Sequence, residues 1–382
     1  MSDLVFSLPH ETYFGVDIIH RLASVVSRYG DRVLIVTEAI LYERNTIEKI
    51  LELLEKKNIS YIVYDEVVPN ATSSAVEEAL LLARGSQAQV VIGMGGVRAL
   101  STAKCVAMAA GARAEIDDYL SGGQPQGAPL TYIEIPTTSR NPFMYQDSCL
   151  IVDARDRSAK ILATQPDITK VVLIDPKLTL SLPPKYTAAI LLETFMTAFE
   201  GYISTKNNVL TETLFLKAIE HVTETLPQIV QNPEDIKLRI AAATAGFITG
   251  LGLSMSRQGL GSALVYALNA RLMVPKSWVA AILLPHVLEF FINASSEKIM
   301  RLARILGEDV TGISSVDASK KAIEAVQRLT GGLDFQARLR DFNLKLDGVI
   351  EIASNARSFD MMNYLPRMAS IEELCDVIKE AY

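Results

Sequence analysis

QVVIGMGGVRALSTAK, residues 89–104, joins a strand to a helix through glycines. Gln89-Val90-Val91-Ile92 is a short apolar run of strand type, followed by Gly93, Gly95 and Gly96. From Val97 through Ala103 and into Cys105-Val106-Ala107 the pattern is helical. A strand that ends in glycines and turns into a helix aims backbone N–H groups and the positive helix end at one spot, which suits a phosphate group. Glycine serves there because a Cβ blocks close approach of an anion to the backbone. Glycines also make ordinary tight turns, so the local pattern leaves both readings open.

Outward from this stretch, residues 1–180 alternate strand and helix signals. Val33-Leu34-Ile35-Val36 is a buried strand ending at Thr37-Glu38, and Ser60-Tyr61-Ile62-Val63-Tyr64 is a second. Pro69-Asn70-Ala71 reads as a turn, Thr72 or Ser73 as a cap, and Ala75–Arg84 as an amphipathic helix. Strands separated by such helices imply a parallel, doubly wound sheet. Ligands in these sheets sit at the carboxyl ends of the strands, where Glu38 and Gly93–Gly96 fall. A carboxylate there accepts bonds from ribose hydroxyls, or else is a solvated acid at a helix start. Further on, Tyr132-Ile133-Glu134-Ile135 leads into Pro136-Thr137-Thr138, and Ser148–Val152 with Lys160–Leu162 reads as an extension of the sheet. Val171–Ile174 is a last strand. After Pro183-Pro184 nearly everything has helical period. The expected architecture is an α/β nucleotide-binding-type domain over 1–180 and an all-α domain over 181–382.

Composition narrows the function classes. The chain has 382 residues, 49% apolar and 21% charged, enough for about two cores. Its net charge of −7 and lack of a basic block speak against nucleic acid as a partner. Three scattered cysteines fit neither a disulfide framework nor a zinc ribbon, so a reducing, cytoplasmic setting is expected. The N-terminus lacks the pattern of a signal peptide. The longest apolar stretch, Ile240–Met255, is interrupted by glycines and threonines and reads as a helix packed on all sides, so no membrane partner is expected.

The order of landmarks resembles the iron-containing (group III) alcohol dehydrogenase family, with its dehydroquinate synthase-like fold. FSLPHETYFG is similar to the family's opening strand, and RVLIVTE to its first nucleotide-binding strand, which usually ends in Asp where Glu38 stands. VVIGMGGVRALSTAK resembles GGGSxxDxAK, and IPTTSRNPFMYQDSCLIVD resembles the IPTTxGTGSE segment. LLETFMTAFEGYIS is similar to DALTHAIEGYIS, VPKSWVAAILLPHVLEF to VPHGxANAxLLPHVLxF, and LPRMASIEELCDVIKEAY to the closing helix. The resemblance implies a homodimer with a cleft between its domains and NAD or NADP as cofactor. The cofactor-binding positions it marks are Glu38, Gly95, Gly96, Arg98, Lys104, Thr137 and Thr138.

At the catalytic positions the chain departs from the family. The family holds a divalent metal with an Asp and a His one helical turn apart and two later His residues. The matching positions are Glu193, Thr197, Ser262 and Lys276. A lysine ammonium is itself a cation, and hydroxyls are weak neutral ligands. The four histidines are His10, His20, His221 and His286, and none falls on a ligand position. No catalytic metal is expected. Lys276 and Glu193 fill the vacated site as an ion pair, or each points to water. Tyr266 stands where the family often has a proton-relaying histidine. Arg98, Arg140 and Lys276 bring positive charge to motif positions. They bind an anionic small molecule, or pair with local acids such as Glu134, Asp147 and Glu193. Two functions stand: an NAD(P)-dependent oxidoreductase in which Lys276 or Tyr266 polarises a carbonyl without metal, or a non-catalytic pseudoenzyme that binds an anion or nucleotide or partners an active relative.

Overall fold

The computed structural model describes residues 11–43, 45–67, 71–272, 275–333, 338–342 and 348–382. Residues 6–10 of the opening segment, His10 included, and the Pro69-Asn70 turn lie outside them. The chain divides into two compact units, Met1–Ser181 and Leu182–Tyr382.

In the first unit the strands are β1 (Glu11–Phe14), β2 (Arg32–Val36), β3 (Ser60–Tyr64), β4 (Val90–Gly95), β5 (Thr131–Pro136), β6 (Ser148–Val152), β7 (Ala159–Ala163) and β8 (Thr169–Ile174). Six of them form one parallel sheet in the order β1-β8-β5-β4-β2-β3. Helices α1 (Leu22–Val26), α2 (Ile40–Glu43), α3 (Thr46–Glu55), α4 (Ser73–Gly85), α5 (Val97–Ala109) and α6 (Ile116–Leu120) connect them. The period-2 alternation of buried strands sends neighbouring residues to opposite faces. Leu34, Val36 and Val91 pack in a core with α4 and α5, while Val33, Ile35, Val90 and Ile92 pack in another with α1 and α3. Both faces are therefore covered, as in a doubly wound sheet.

One expectation needs correction. β6 and β7 do not extend the sheet; they pair antiparallel with each other, Ser148 opposite Ala163. The linker Asp153–Ser158 is far shorter than the dozen or so residues that a parallel crossover needs, so only a hairpin can form.

The strand order also contains a reversal. From β2 the chain moves outward to β3 and then returns to the other side of β2 as β4. The order reverses between β2 and β4, and crevices at such points take ligands at the carboxyl ends of the strands. Those ends are Glu38 and the glycine turn.

The second unit is helical throughout its described residues: α7 (Pro184–Ile203), α8 (Val209–Gln231), α9 (Ile236–Leu253), α10 (Leu260–Leu272), α11 (Lys276–Phe290), α12 (Ile292–Ile305), α13 (Ser315–Gly331), α14 (Val349–Arg357) and α15 (Ile371–Glu380), with short 3-10 turns between. Pro184 starts α7, where its fixed φ and missing N–H cost nothing. The fully buried Arg239 of α9 donates to the Pro233 carbonyl (2.8 Å), Thr187 Oγ1 (2.8 Å) and the Leu182 carbonyl (3.3 Å), tying α9 to the start of α7. Phe215 of α8 fills the space where side chains on Gly201 and Gly252 would stand, which accounts for glycine at both. By length and composition α9 is a candidate membrane span, and half of it is buried within the protein. It is thus longer, and less completely packed, than the sequence suggests. Ile240, Thr244, Phe247 and Leu251 form a half-covered stripe opposite its buried face.

Candidate functional site

The glycine turn of the first unit is built differently from the simple phosphate cradle. β4 runs on through Gly93 and Met94 to Gly95, so the turn is confined to Gly95-Gly96. Gly93 is needed for packing: a Cβ there would stand 2.7 Å from the Tyr132 hydroxyl and 2.9 Å from Ala103 Cβ. Gly95 has φ +146°, outside the range of L side chains, and a Cβ on it would meet Ala99 Cβ at 2.9 Å and Glu38 Oε2 at 3.1 Å. Gly96 caps α5 and leaves only ordinary van der Waals room beside Thr138. Gly95→Ala is expected to cost about 1–3 kcal/mol through backbone strain and to displace Glu38. Melting curves check both parts: a lower midpoint, and loss of any upward shift caused by NADH.

Glu38 is not a solvated acid. Its Oε2 accepts the Gly96 N–H at 3.2 Å, and its Oε1 pairs with Arg98 at 3.0 Å. The carboxylate thus sits on the N-terminus of α5, where the helix end favours negative charge. Arg98, in the first turn of that helix, has Glu38 as a counter-ion, an acid not among those named for it from the sequence.

Lys104, expected from the resemblance to contact cofactor, makes its hydrogen bonds within the protein. It is buried, and its ammonium donates to the carbonyls of Phe143 (2.7 Å) and Gln146 (3.2 Å) while lying over the Tyr132 ring. Burial lowers its pKa, and the nearby charge of Glu134 opposes that. Glu134 itself is fully buried. Its Oε1 accepts Asn141 Nδ2 at 2.5 Å, and the Tyr132 hydroxyl is 3.2 Å from its Oε2; burial nevertheless raises its pKa. These groups pin the loop after β5. Thr137 is buried with its N–H on the Gly95 carbonyl (3.0 Å), Thr138 Oγ1 donates to the Arg140 carbonyl (3.0 Å), and Arg140, Phe143, Met144 and Tyr145 are buried. Of the residues proposed to touch cofactor, the fold gathers Glu38, Gly95, Gly96, Arg98 and Thr138 at one turn. Lys104 is given to the loop.

In the second unit the positions that match metal ligands lie on three helices. Glu193 and Thr197 are buried one turn apart on α7, Ser262 is buried at the start of α10, and Lys276 opens α11. Glu193 Oε2 accepts the Ser277 hydroxyl at 2.6 Å, from the residue beside Lys276. The Lys276 ammonium lies over the Tyr266 ring, 5.9 Å from its centre. Two residues of this corner were not singled out from the sequence. Glu200 is buried and accepts the Ser262 N–H (3.0 Å) and hydroxyl (2.6 Å), while the Gly259 and Gly261 N–H groups also point at it; burial raises its pKa against these bonds. Gln258, also buried, gives Nε2–H bonds to Ser262 Oγ (3.1 Å) and the Tyr266 hydroxyl (2.6 Å). The spacing 258, 262, 266 is a one-turn repeat that could have drawn attention to Gln258. Trp278 packs edge-on against Tyr186 and Phe342. Cys105 is a buried core thiol beside Cys149, as its apolar helix face suggested.

Comparison with known proteins bears on both units. Residues 9–176 match the family model for iron-containing alcohol dehydrogenase, and 187–382 match that for the C-terminal part of the Fe-containing alcohol dehydrogenase family. Lactaldehyde reductase of Escherichia coli K12 is 28% identical over 379 residues, 98% of each chain. The NAD-dependent methanol dehydrogenase of Bacillus methanolicus is 23% identical over 98% of this chain and 99% of its own. The crystal structure of a 1,3-propanediol oxidoreductase superposes with a TM-score of 0.92 at 24% identity, covering 100% of both chains. The chain, with its parallel-sheet unit followed by a helical one, belongs to the iron-containing alcohol dehydrogenase family.

Proposed function

We propose that this protein is an NAD(P)-dependent oxidoreductase that interconverts a small aldehyde or ketone and its alcohol, with Lys276 and Tyr266 taking the part of the family's metal. The observation that carries this reading is the Lys276 ammonium over the Tyr266 ring, with the Glu193–Ser277 hydrogen bond beside it. The donor set does not suit a divalent ion. One of its four positions is an ammonium, and the Ser262 oxygen gives its proton to Glu200 and takes one from Gln258. Among the described residues no group of three or more His, Cys, Asp or Glu gathers to hold a metal. A bound nicotinamide dinucleotide would supply the hydride for reduction, and Tyr266 or Lys276 would give the proton that the carbonyl oxygen takes up. The cation stabilises the negative charge that develops there. Relatives named lactaldehyde reductase and methanol dehydrogenase motivate a first screen of short-chain substrates.

At the glycine turn, the Gly96 N–H and the Glu38 carboxylate are the groups that would hold a dinucleotide, through a phosphate and ribose hydroxyls. A carboxylate at that point disfavours a 2′-phosphate, so NADH is the expected partner over NADPH. Thermal melting with millimolar NADH, NADPH and their oxidised forms tests this. Ligand at about 100 times its dissociation constant adds about 2.7 kcal/mol, a shift of several degrees. A larger shift with NADH, followed by turnover of short aldehydes that neither EDTA nor added zinc or iron(II) changes, supports the reading. The second reading, a non-catalytic anion binder or partner subunit, draws on Glu38 already occupying the Gly96 N–H. No shift with any dinucleotide would favour it.

A further inference from the structure

We infer that Gln258 is a positioning residue that sets the direction of the Tyr266 hydroxyl proton; this rests on the donor role proposed for Tyr266. The direction originates at Glu200. That carboxylate is buried at the start of α10, where a side chain on Gly261 would come within 3.0 Å of its Oε1. It accepts the Ser262 N–H and hydroxyl, with the Gly259 and Gly261 N–H groups also aimed at it. Donors on both oxygens hold it as an acceptor, so Ser262 must spend its single proton on Glu200. The Ser262 oxygen then has only lone pairs left for Gln258, which fixes the Gln258 amide with its NH2 toward Ser262. One of the two NH2 protons meets Ser262 Oγ at 3.1 Å and the other the Tyr266 oxygen at 2.6 Å. Tyr266 therefore accepts from Gln258 and must send its own proton away from it.

A phenol that accepted nothing on this side could turn its O–H back toward residue 258. With Gln258 donating, that orientation is closed. Hydrogen bonds in series also polarise one another, so the donation strengthens the phenol as a donor. Lys276, over the ring of the same tyrosine, adds positive charge beside it. The polarity of the chain Glu200–Ser262–Gln258–Tyr266 thus reaches a candidate proton donor without Gln258 meeting the substrate.

The test compares Gln258→Leu, which removes the donor, and Gln258→Glu, which keeps the shape but offers an acceptor, with Tyr266→Phe. Protein carrying tyrosine labelled with carbon-13 at Cζ reports the hydrogen bonding of each phenol, and Tyr266→Phe assigns the line. Both Gln258 variants are expected to move the Tyr266 line more than any other. Gln258→Leu should also lower kcat for aldehyde reduction about tenfold with KM for NADH unchanged. In the Tyr266→Phe background it should have no further effect, because Gln258 acts only through that hydroxyl. A Tyr266 line that stays in place, or a loss of kcat undiminished in the Tyr266→Phe background, overturns the inference. If the wild type reduces no aldehyde, the reading of the protein as an enzyme falls, and the Tyr266 line alone judges whether Gln258 orients the phenol. Should Gln258→Leu fail to fold, Gln258→Glu supplies the same line shift.

Discussion

Lys104→Met will melt about 10 °C below the wild type at neutral pH. The ammonium it removes is buried, satisfies the carbonyls of Phe143 and Gln146, and is the nearby positive charge that offsets the buried Glu134. Removing one member of a buried, mutually compensating set costs about 3–5 kcal/mol, because the other charge stays behind without its partner. For a unit of this size each kcal/mol moves the midpoint by about 2–4 °C. The pH dependence carries a sign. Burial already raises the Glu134 pKa, so its ionisation costs folded-state stability as pH rises from the ordinary carboxylate range through the raised value. Without Lys104 that pKa rises further and the cost grows. The gap between variant and wild type should therefore narrow as pH falls toward 5 and Glu134 takes up a proton. Adding Glu134→Gln to Lys104→Met should restore part of the lost midpoint at neutral pH. Equal gaps at pH 5 and pH 8 would show that only the carbonyl contacts matter.

Lys276→Met carries the largest expected effect on activity. A charged donor at a developing alkoxide is worth about a hundredfold to a thousandfold in kcat, and that is the loss expected for aldehyde reduction. Stability should move little, or rise. Lys276 is the first residue of α11, where a cation opposes the helix dipole by about 0.3–1 kcal/mol. A cation placed at a helix start, over an aromatic ring, is the feature that this prediction tests. The measurement pairs steady-state kinetics with a melting curve. Full turnover in the variant would remove Lys276 from the reaction. A large fall in the midpoint would recast it as structural.

Most of the fold was legible because it is written in local patterns. Apolar runs at 33–36, 60–64 and 171–174 mark strands, and the change of period after Pro183-Pro184 marks the helical unit. Thr72, one of two caps considered for α4, accepts the Ala75 N–H. Residues that the motifs named separately also lie together in the fold: Glu38 with Gly95-Gly96, and Tyr266 with Lys276. What failed was the assignment of partners. Lys104 matches a cofactor motif in spacing, yet its ammonium turns inward to a loop that lies 39 residues further along the chain. Gln258 lies outside the matched ligand positions and gains meaning only beside Ser262 and Tyr266.

By itself the sequence determined the kind of protein: the alternation of strands and helices, the helical second half and the family. These follow from residue identity and short-range periodicity, which need no partner to be read. Tertiary structure decided which charges meet. Glu38 closes on Gly96 and Arg98, Lys104 on the loop after β5, Glu200 on Ser262, and Gln258 on Tyr266. A long polar side chain reaches several ångströms in any direction. Which acceptor it finds is set by desolvation at its final place in the fold, and no spacing along the chain encodes that.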